Sequence, residues 1–89
     1  MPKAEISWKR DLPEGEQLQV YAQRVGRRWI FRSRLRRFDQ WEAQPNPPIE
    51  DWMELLDAVK RRVPRRLLPP DEIDRVCQAI RERFPEAPL

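Results

Sequence analysis

A glycine at position 26 separates two segments in which apolar and polar residues alternate. The segment 17–25 before it and the segment 28–36 after it place apolar residues mainly at every second position, which is typical of half-buried β-strands. Gly26 and Arg27 fit a two-residue type II′ turn, because that turn needs a positive φ at its first central residue. The sequence therefore predicts an antiparallel β-hairpin.

The turn also sets the register of this hairpin. Val25 lies opposite Arg28, and the pairs continue outward to Leu18 opposite Leu35. The apolar pairs then share one face of the hairpin, and a slip of one residue would mix the two faces. The opposite face collects Gln17, Gln19, Tyr21, Gln23, Ile30, Arg32, Arg34 and Arg36.

A helix is the alternative for this region. Phe31, Leu35, Phe38 and Trp41 are spaced by four, three and three residues, which fits one face of a helix. That alternative leaves Gly26 inside or between helices without a capping residue, so we favour the hairpin. The segment 6–8, followed by the turn-like residues 12–15, is a candidate third strand, because two strands alone are marginally stable.

The second half of the chain has the spacing of two amphipathic helices. Each follows a Pro-Pro pair, carries acids first and bases last, and stops at a proline, position 64 or 85. The apolar stripes are Ile49, Trp52, Met53, Leu56, Val59 and Val63 in the first helix, and Ile73, Val76, Cys77, Ile80 and Phe84 in the second.

These elements predict one small α+β domain over residues 1–89, with a β-rich part over 1–42, a Pro-rich connection over 43–48 and a two-helix part over 49–85. We expect an antiparallel β-hairpin or three-stranded meander followed by two antiparallel amphipathic α-helices packed on one sheet face. The predicted core consists of Leu18, Val20, Phe31, Leu35, Trp52, Leu56, Val59, Ile73, Val76 and Ile80.

The residue types give little support to catalysis or metal binding. With 1 Cys and no His, the chain has no internal disulfide and no Cys/His zinc site. Cys77 lies on an apolar stripe with no His to activate it. The acids Glu50, Asp51, Glu54 and Asp57 lie opposite the apolar stripe, where a solvated face is the usual outcome. We therefore expect a protein that is not an enzyme and uses no cofactor.

Long apolar segments are missing from this sequence. No stretch approaches the apolar run of a signal peptide or the roughly 18 apolar residues of a membrane-spanning helix. We therefore expect a cytoplasmic protein that has no membrane partner.

Positive charge is concentrated in the predicted hairpin, because residues 24–37 carry seven Arg and no acid. Arginines beside a tyrosine and glutamines are suited to phosphate contacts and base stacking, so nonspecific nucleic-acid binding is the favoured function. The alternative is a solvated face without a ligand, because an antiparallel sheet that packs one face on the core needs polar residues on the other face. The candidate contact residues are Tyr21, Arg27, Arg28, Arg32, Arg34 and Arg36.

A protein-binding or self-associating module is the second hypothesis. Trp8, Phe38 and Trp41 fall at the ends of the clean patterns, and aromatic residues outside a small core are typical anchors of protein interfaces. The acids at 50–57 also complement the hairpin arginines of another copy. A second basic cluster, at 60–66, fits the dipole of the first helix and the polar turn that follows it, and the alternative is an extension of the phosphate-binding surface if the cluster lies on the same side as the hairpin arginines.

Overall fold

The structure is a computed structural model that describes residues 4–36 and 39–89. It contains an antiparallel sheet with strand order β1-β2-β3-β4, followed by two helices. The predicted α+β class is therefore confirmed. The elements are β1 (Glu5–Asp11), β2 (Gln17–Val25), β3 (Arg28–Arg34), β4 (Glu42–Ala43), α1 (Ile49–Arg62) and α2 (Glu72–Arg83).

The turn between β2 and β3 has the predicted geometry. Gly26 has a φ of 62°, and Arg27 is not among the residues with positive φ, which is the combination of a type II′ turn. The register also agrees with the prediction, and the agreement covers every pair from Val25 opposite Arg28 to Gln19 opposite Arg34. A short local signal, one glycine between two alternating segments, therefore determines the pairing of the central strands.

One face of the sheet is apolar and buried. Ile6, Val20, Ala22 and Phe31 are each at most 4% exposed. Because Ile6 lies opposite Ala22 and Trp8 opposite Val20, β1 continues this face, and the Trp8 ring meets the Phe31 ring edge-on at 6.1 Å between centroids. The candidate third strand is thus real, and it is longer than the segment 6–8 that predicted it.

The hairpin ends earlier than the sequence predicts. Beyond Arg34, the backbone N–H of Arg36 donates to the Asp39 carboxylate at 3.1 Å, and the N–H of Asp39 donates to the carbonyl of Arg36 at 2.9 Å. The pairing of β2 with β3 ends at Gln19 opposite Arg34, so Leu35 does not pair with Leu18. Leu35 is 45% exposed, so its assignment to the core is wrong.

Both helices end at the predicted prolines, but only α1 begins at one, because α2 starts at Glu72, two residues after Pro70. α1 starts directly after Pro48, and the C-cap residues Val63 and Phe84 immediately precede Pro64 and Pro85, since a proline disfavours helical geometry at the residue before it. Their apolar sides are buried, with α1 contributing Trp52, Leu55, Leu56, Ala58 and Val59, and α2 contributing Val76 and Ile80.

The helices run antiparallel. The guanidinium of Arg83, at the end of α2, lies 4.9 Å from the ring centroid of Trp52, in the first turn of α1. Ile73, which was assigned to the core, is half-buried. Asp51 is only 1% exposed, so its place on the predicted solvated acidic face is wrong, whereas Glu54 is exposed as expected.

The chain divides into two compact units, Met1–Pro47 and Pro48–Leu89. The boundary between them falls inside the predicted Pro-rich connection, of which the first residue, Ala43, belongs to β4. Among residues 4–36 and 39–89, no helix has the length and apolar character that crossing a membrane requires.

Candidate functional site

The second face of the sheet carries the polar side chains of the three long strands. Because side chains alternate along a strand, the pairs place Lys9, Gln19 and Arg34 in one row across the sheet and Ser7, Tyr21 and Arg32 in the next. We call this surface the arginine face; it consists of Glu5, Ser7, Lys9, Asp11, Gln17, Gln19, Tyr21, Gln23, Ile30, Arg32 and Arg34.

The two arginines at the centre of this face are held by glutamines of the neighbouring strand. Arg34 Nε donates to Gln19 Oε1 at 2.7 Å, and an Arg32 terminal nitrogen donates to Gln23 Oε1 at 3.3 Å. Both arginines are half-buried, and neither forms an ion pair with a described residue. Since an amide oxygen is neutral, these contacts fix the guanidinium groups without cancelling their charge.

Trp41 joins the arginine face through β4. β4 pairs Ala43 with Arg32 and Glu42 with Ser33, and continuing this register by one residue places Trp41 opposite Arg34. The Arg34 guanidinium lies 4.2 Å from the centroid of the Trp41 ring, within the range of a cation–π contact. The Tyr21 ring also contacts Trp41, with 5.5 Å between centroids, and 38% of Trp41 remains exposed.

The surroundings of Tyr21 raise the pKa of its hydroxyl. Burial is the largest cause of the raised pKa of Tyr21, followed by a hydrogen bond to Glu5 and the negative charge of Glu5, while Arg32 acts in the opposite direction. The protonated hydroxyl donates its hydrogen bond to the Glu5 carboxylate. This contact also occupies the carboxylate of Glu5, which lies in the row next to that of Tyr21 and Arg32.

A shallow hollow of about 370 Å³ lies where the arginine face ends, near the start of β2. Lys9 and Arg36 contribute positive charge to its lining, and Gln17 and Gln19 contribute amides. Glu16 and Leu35 complete the lining. Positive charge on the face thus continues from Arg34 toward Lys9 and Arg36.

The predicted nucleic-acid-binding residues are only partly brought together. Tyr21, Arg32 and Arg34 share the arginine face, and Arg28 lies on the same side at the hairpin tip. Arg27 occupies the exposed turn itself. Arg36 lies beyond β3, and its side chain reaches the sheet only at the hollow.

The residues predicted as protein anchors do not form one surface. Trp8 lies on the buried face of the sheet, and Trp41 lies on the arginine face. Phe38 lies outside the described residues. The sequence therefore missed Trp41 as a member of the arginine face, because a two-residue strand leaves too short an alternation to recognise.

Lys9 is the second residue of this surface that the sequence left out. Its signal was present, since Ile6 and Trp8 alternate with Ser7 and Lys9, but the candidate strand stopped at Trp8, three residues before β1 ends at Asp11. Extending that alternation by one position places Lys9 beside Gln19.

Other candidate chemistry is not assembled among the described residues. Cys77 is a half-buried free thiol, and the described part of the chain contains no cluster of His, Cys, Asp or Glu that would hold a metal ion. Of the acids in the first three turns of α1, Glu50, Glu54 and Asp57 are exposed. Asp57 is paired with Arg61 at 2.7 Å.

Comparison of the chain with protein-family models, with curated proteins and with solved structures gives no match. The geometry of the arginine face is therefore the basis for the function proposed below.

Proposed function

We propose that this protein is a non-enzymatic module that binds nucleic acid nonspecifically, with the arginine face contacting phosphates. The observation that carries the proposal is the pair Arg32 and Arg34, which are fixed side by side by neutral amides. A guanidinium has five N–H donors, so Arg34 keeps its terminal nitrogens available after Nε has bonded to Gln19. Charge-assisted bonds from arginine to phosphate are among the strong polar contacts of proteins.

Preorganisation favours this use of the face. An arginine loses about 2 kcal/mol of rotamer entropy when it is immobilised, which weakens binding by free side chains. Arg32 and Arg34 are already held in the unbound protein. Lys9 and Arg36 extend the charge at one end and Arg28 extends it at the other, so the face accommodates a polyanion rather than a single phosphate.

Titration of a labelled oligonucleotide tests the proposal. Fluorescence anisotropy between about 50 and 200 mM salt should show an affinity that falls steeply with salt, because bound phosphates release counterions. Arg34→Gln should weaken binding by about tenfold and lower the salt slope by about one. Arg81→Gln is the matched control, since it removes the same charge from an exposed position on α2.

Two results contradict the proposal. One is the absence of binding to DNA and RNA at about 50 mM salt, where phosphate contacts are strongest. The other is an equal loss of affinity in Arg34→Gln and Arg81→Gln, because this would trace binding to net charge alone and not to the arginine face.

Self-association is the second candidate function. It is favoured by the exposed acids Glu50 and Glu54 of α1 together with the uncancelled charge of Arg32 and Arg34, which are complementary between two copies. Light scattering at high protein concentration and low salt tests it. A mass that rises toward two chains and returns to one at high salt supports this candidate, whereas a constant mass of one chain removes it.

A further inference from the structure

We infer that the ligand of the arginine face is single-stranded and that one of its unpaired bases stacks on Trp41. This inference rests on the proposed function and specifies the form of nucleic acid that the face accepts. Its basis is the juxtaposition of an exposed indole, two positioned guanidinium groups and free amide donors on one side of the sheet.

The support of the Trp41 ring is the first step. Arg34 lies over the ring at 4.2 Å, and Tyr21 contacts it at 5.5 Å between centroids. Both partners are side chains of the sheet, and 38% of Trp41 remains exposed. An indole held in this way is a fixed platform, because a base that stacks on it does not have to order the ring first.

The stacking geometry selects for unpaired bases. In a duplex the bases are stacked on one another, and only their edges are accessible in the grooves. Single-stranded nucleic acid exposes base faces, and proteins that bind it combine a cationic surface with aromatic rings. Trp41 lies beside Arg34 and thus supplies a ring immediately next to the phosphate-binding charge.

The glutamines supply the remaining contacts. Gln19 and Gln23 use their Oε1 atoms to hold the arginines, which leaves each side-chain NH₂ as a donor. Phosphate oxygens and base carbonyls are acceptors, so these donors suit any strand without selecting a sequence. The row from Lys9 through Gln19 and Arg34 to Trp41 spans three strand spacings, or about 14 Å, which is long enough to place charge beside the stacked base.

The experiment compares labelled strands and a duplex on the full chain. The probes are oligothymidylate and oligouridylate of about 12 nucleotides and a DNA duplex of the same length, titrated by anisotropy at about 50 mM salt. We expect both single strands to bind about tenfold or more tightly than the duplex. Preference for oligouridylate over oligothymidylate identifies RNA as the source of the strand, and the reverse identifies DNA.

Two variants test whether a base stacks on Trp41. Trp41→Leu should weaken single-strand binding by about 5- to 100-fold, because stacking on an aromatic ring is lost. Duplex binding should fall much less, because Gln19 still holds Arg34 after the ring contact is removed. Trp41→Phe keeps a ring and should retain most of the affinity. The salt slope of Trp41→Leu should equal that of the unmodified protein, since no charge is removed. Circular dichroism checks that each variant is folded.

The outcomes separate this inference from the function on which it rests. Equal affinity for strand and duplex, or no effect of Trp41→Leu on single-strand binding, overturns the stacking inference and leaves phosphate binding standing. Absence of binding to all three probes overturns both. If Trp41→Leu does not fold, two measurements still test the stacking inference. They are the ratio of single-strand affinity to duplex affinity in the unmodified protein, and the single-strand affinity of Trp41→Phe.

Discussion

Replacing Arg66 by glycine is expected to stabilise this protein. After α1, the N–H of Leu67 donates to the carbonyl of Arg62 at 3.1 Å, and the N–H of Arg66 donates to the carbonyl of Val63 at 3.0 Å. This pair of bonds has the pattern of a Schellman motif, in which the residue that donates to the carbonyl three residues earlier adopts left-handed geometry and is usually glycine. Here that position is Arg66, with a φ of 60°.

The size of the effect follows from two opposing terms. A residue with a Cβ loses about 1–2 kcal/mol in the left-handed region, whereas glycine in an ordered segment costs about 0.5–1 kcal/mol in additional chain entropy. The side chain of Arg66 is exposed, so little packing is lost with it. The net gain should be about 0.5–1 kcal/mol, or roughly 2–8 °C in Tm for a chain of this size.

Two control variants isolate the backbone effect. Arg66→Ala removes the same charge but keeps a Cβ, and should show no comparable gain in the free energy of unfolding. Arg65→Gly removes a charge next to it at a position without positive φ, and should lose about 0.5–1 kcal/mol. Urea denaturation and thermal melts measure all three. If Arg66→Gly is no more stable than Arg66→Ala, the strain argument is refuted.

Two further predictions follow from burial and from the environment of Tyr21. Leu56→Ala should lower the free energy of unfolding by about 2–5 kcal/mol in urea, whereas Leu67→Ala, at a side chain that is 63% exposed, should change it by less than about 0.5 kcal/mol. Tyr21 should titrate above its ordinary pKa by ultraviolet absorbance, and Glu5→Gln should bring the pKa down. Because the folded protein holds this proton more tightly, stability should fall as the pH rises above about 10, and by less in Glu5→Gln.

The parts of the fold that the sequence predicted depend on local signals. The turn at Gly26 and the alternation on both sides of it set the register of β2 and β3, and no distant contact is needed to read them. Prolines at 64 and 85 likewise mark where the helices end, since the constraint acts on the adjacent residue. Periodicity and backbone restriction were therefore sufficient for the elements and for most of the arginine face.

The parts that the sequence missed depend on pairing between separated segments. β3 ends at Arg34, and Arg36 is hydrogen-bonded to Asp39, whereas the alternation in the sequence continues to Leu35 and gives no sign that the strand has ended. Trp41 reaches the arginine face only because β4 pairs with β3 in one particular register. The residue types at 41–43 do not distinguish a short strand from a loop.

Asp51 illustrates a different limitation. It precedes Leu55 by four residues and Ala58 by seven, so it lies on the same line of the helix as two buried side chains. The buried face predicted for α1 ran through Trp52, Leu56 and Val59. It was narrower than the face that is buried in the structure, so Asp51 was placed among the exposed acids. Its position opposite this narrow face assigned Asp51 to solvent, although its spacing from Leu55 and Ala58 indicated burial.

The arginine face differs from an ordinary solvated face in how its charges are held. Long basic side chains on a solvated face remain mobile, and each binding contact then costs rotamer entropy. Arg34 instead has a hydrogen bond to Gln19 and a ring contact with Trp41, so its position is set before any ligand arrives. Lys9 in the same row is exposed. Loss of Arg34 should therefore weaken nucleic-acid binding more than loss of Lys9, although both substitutions remove one positive charge.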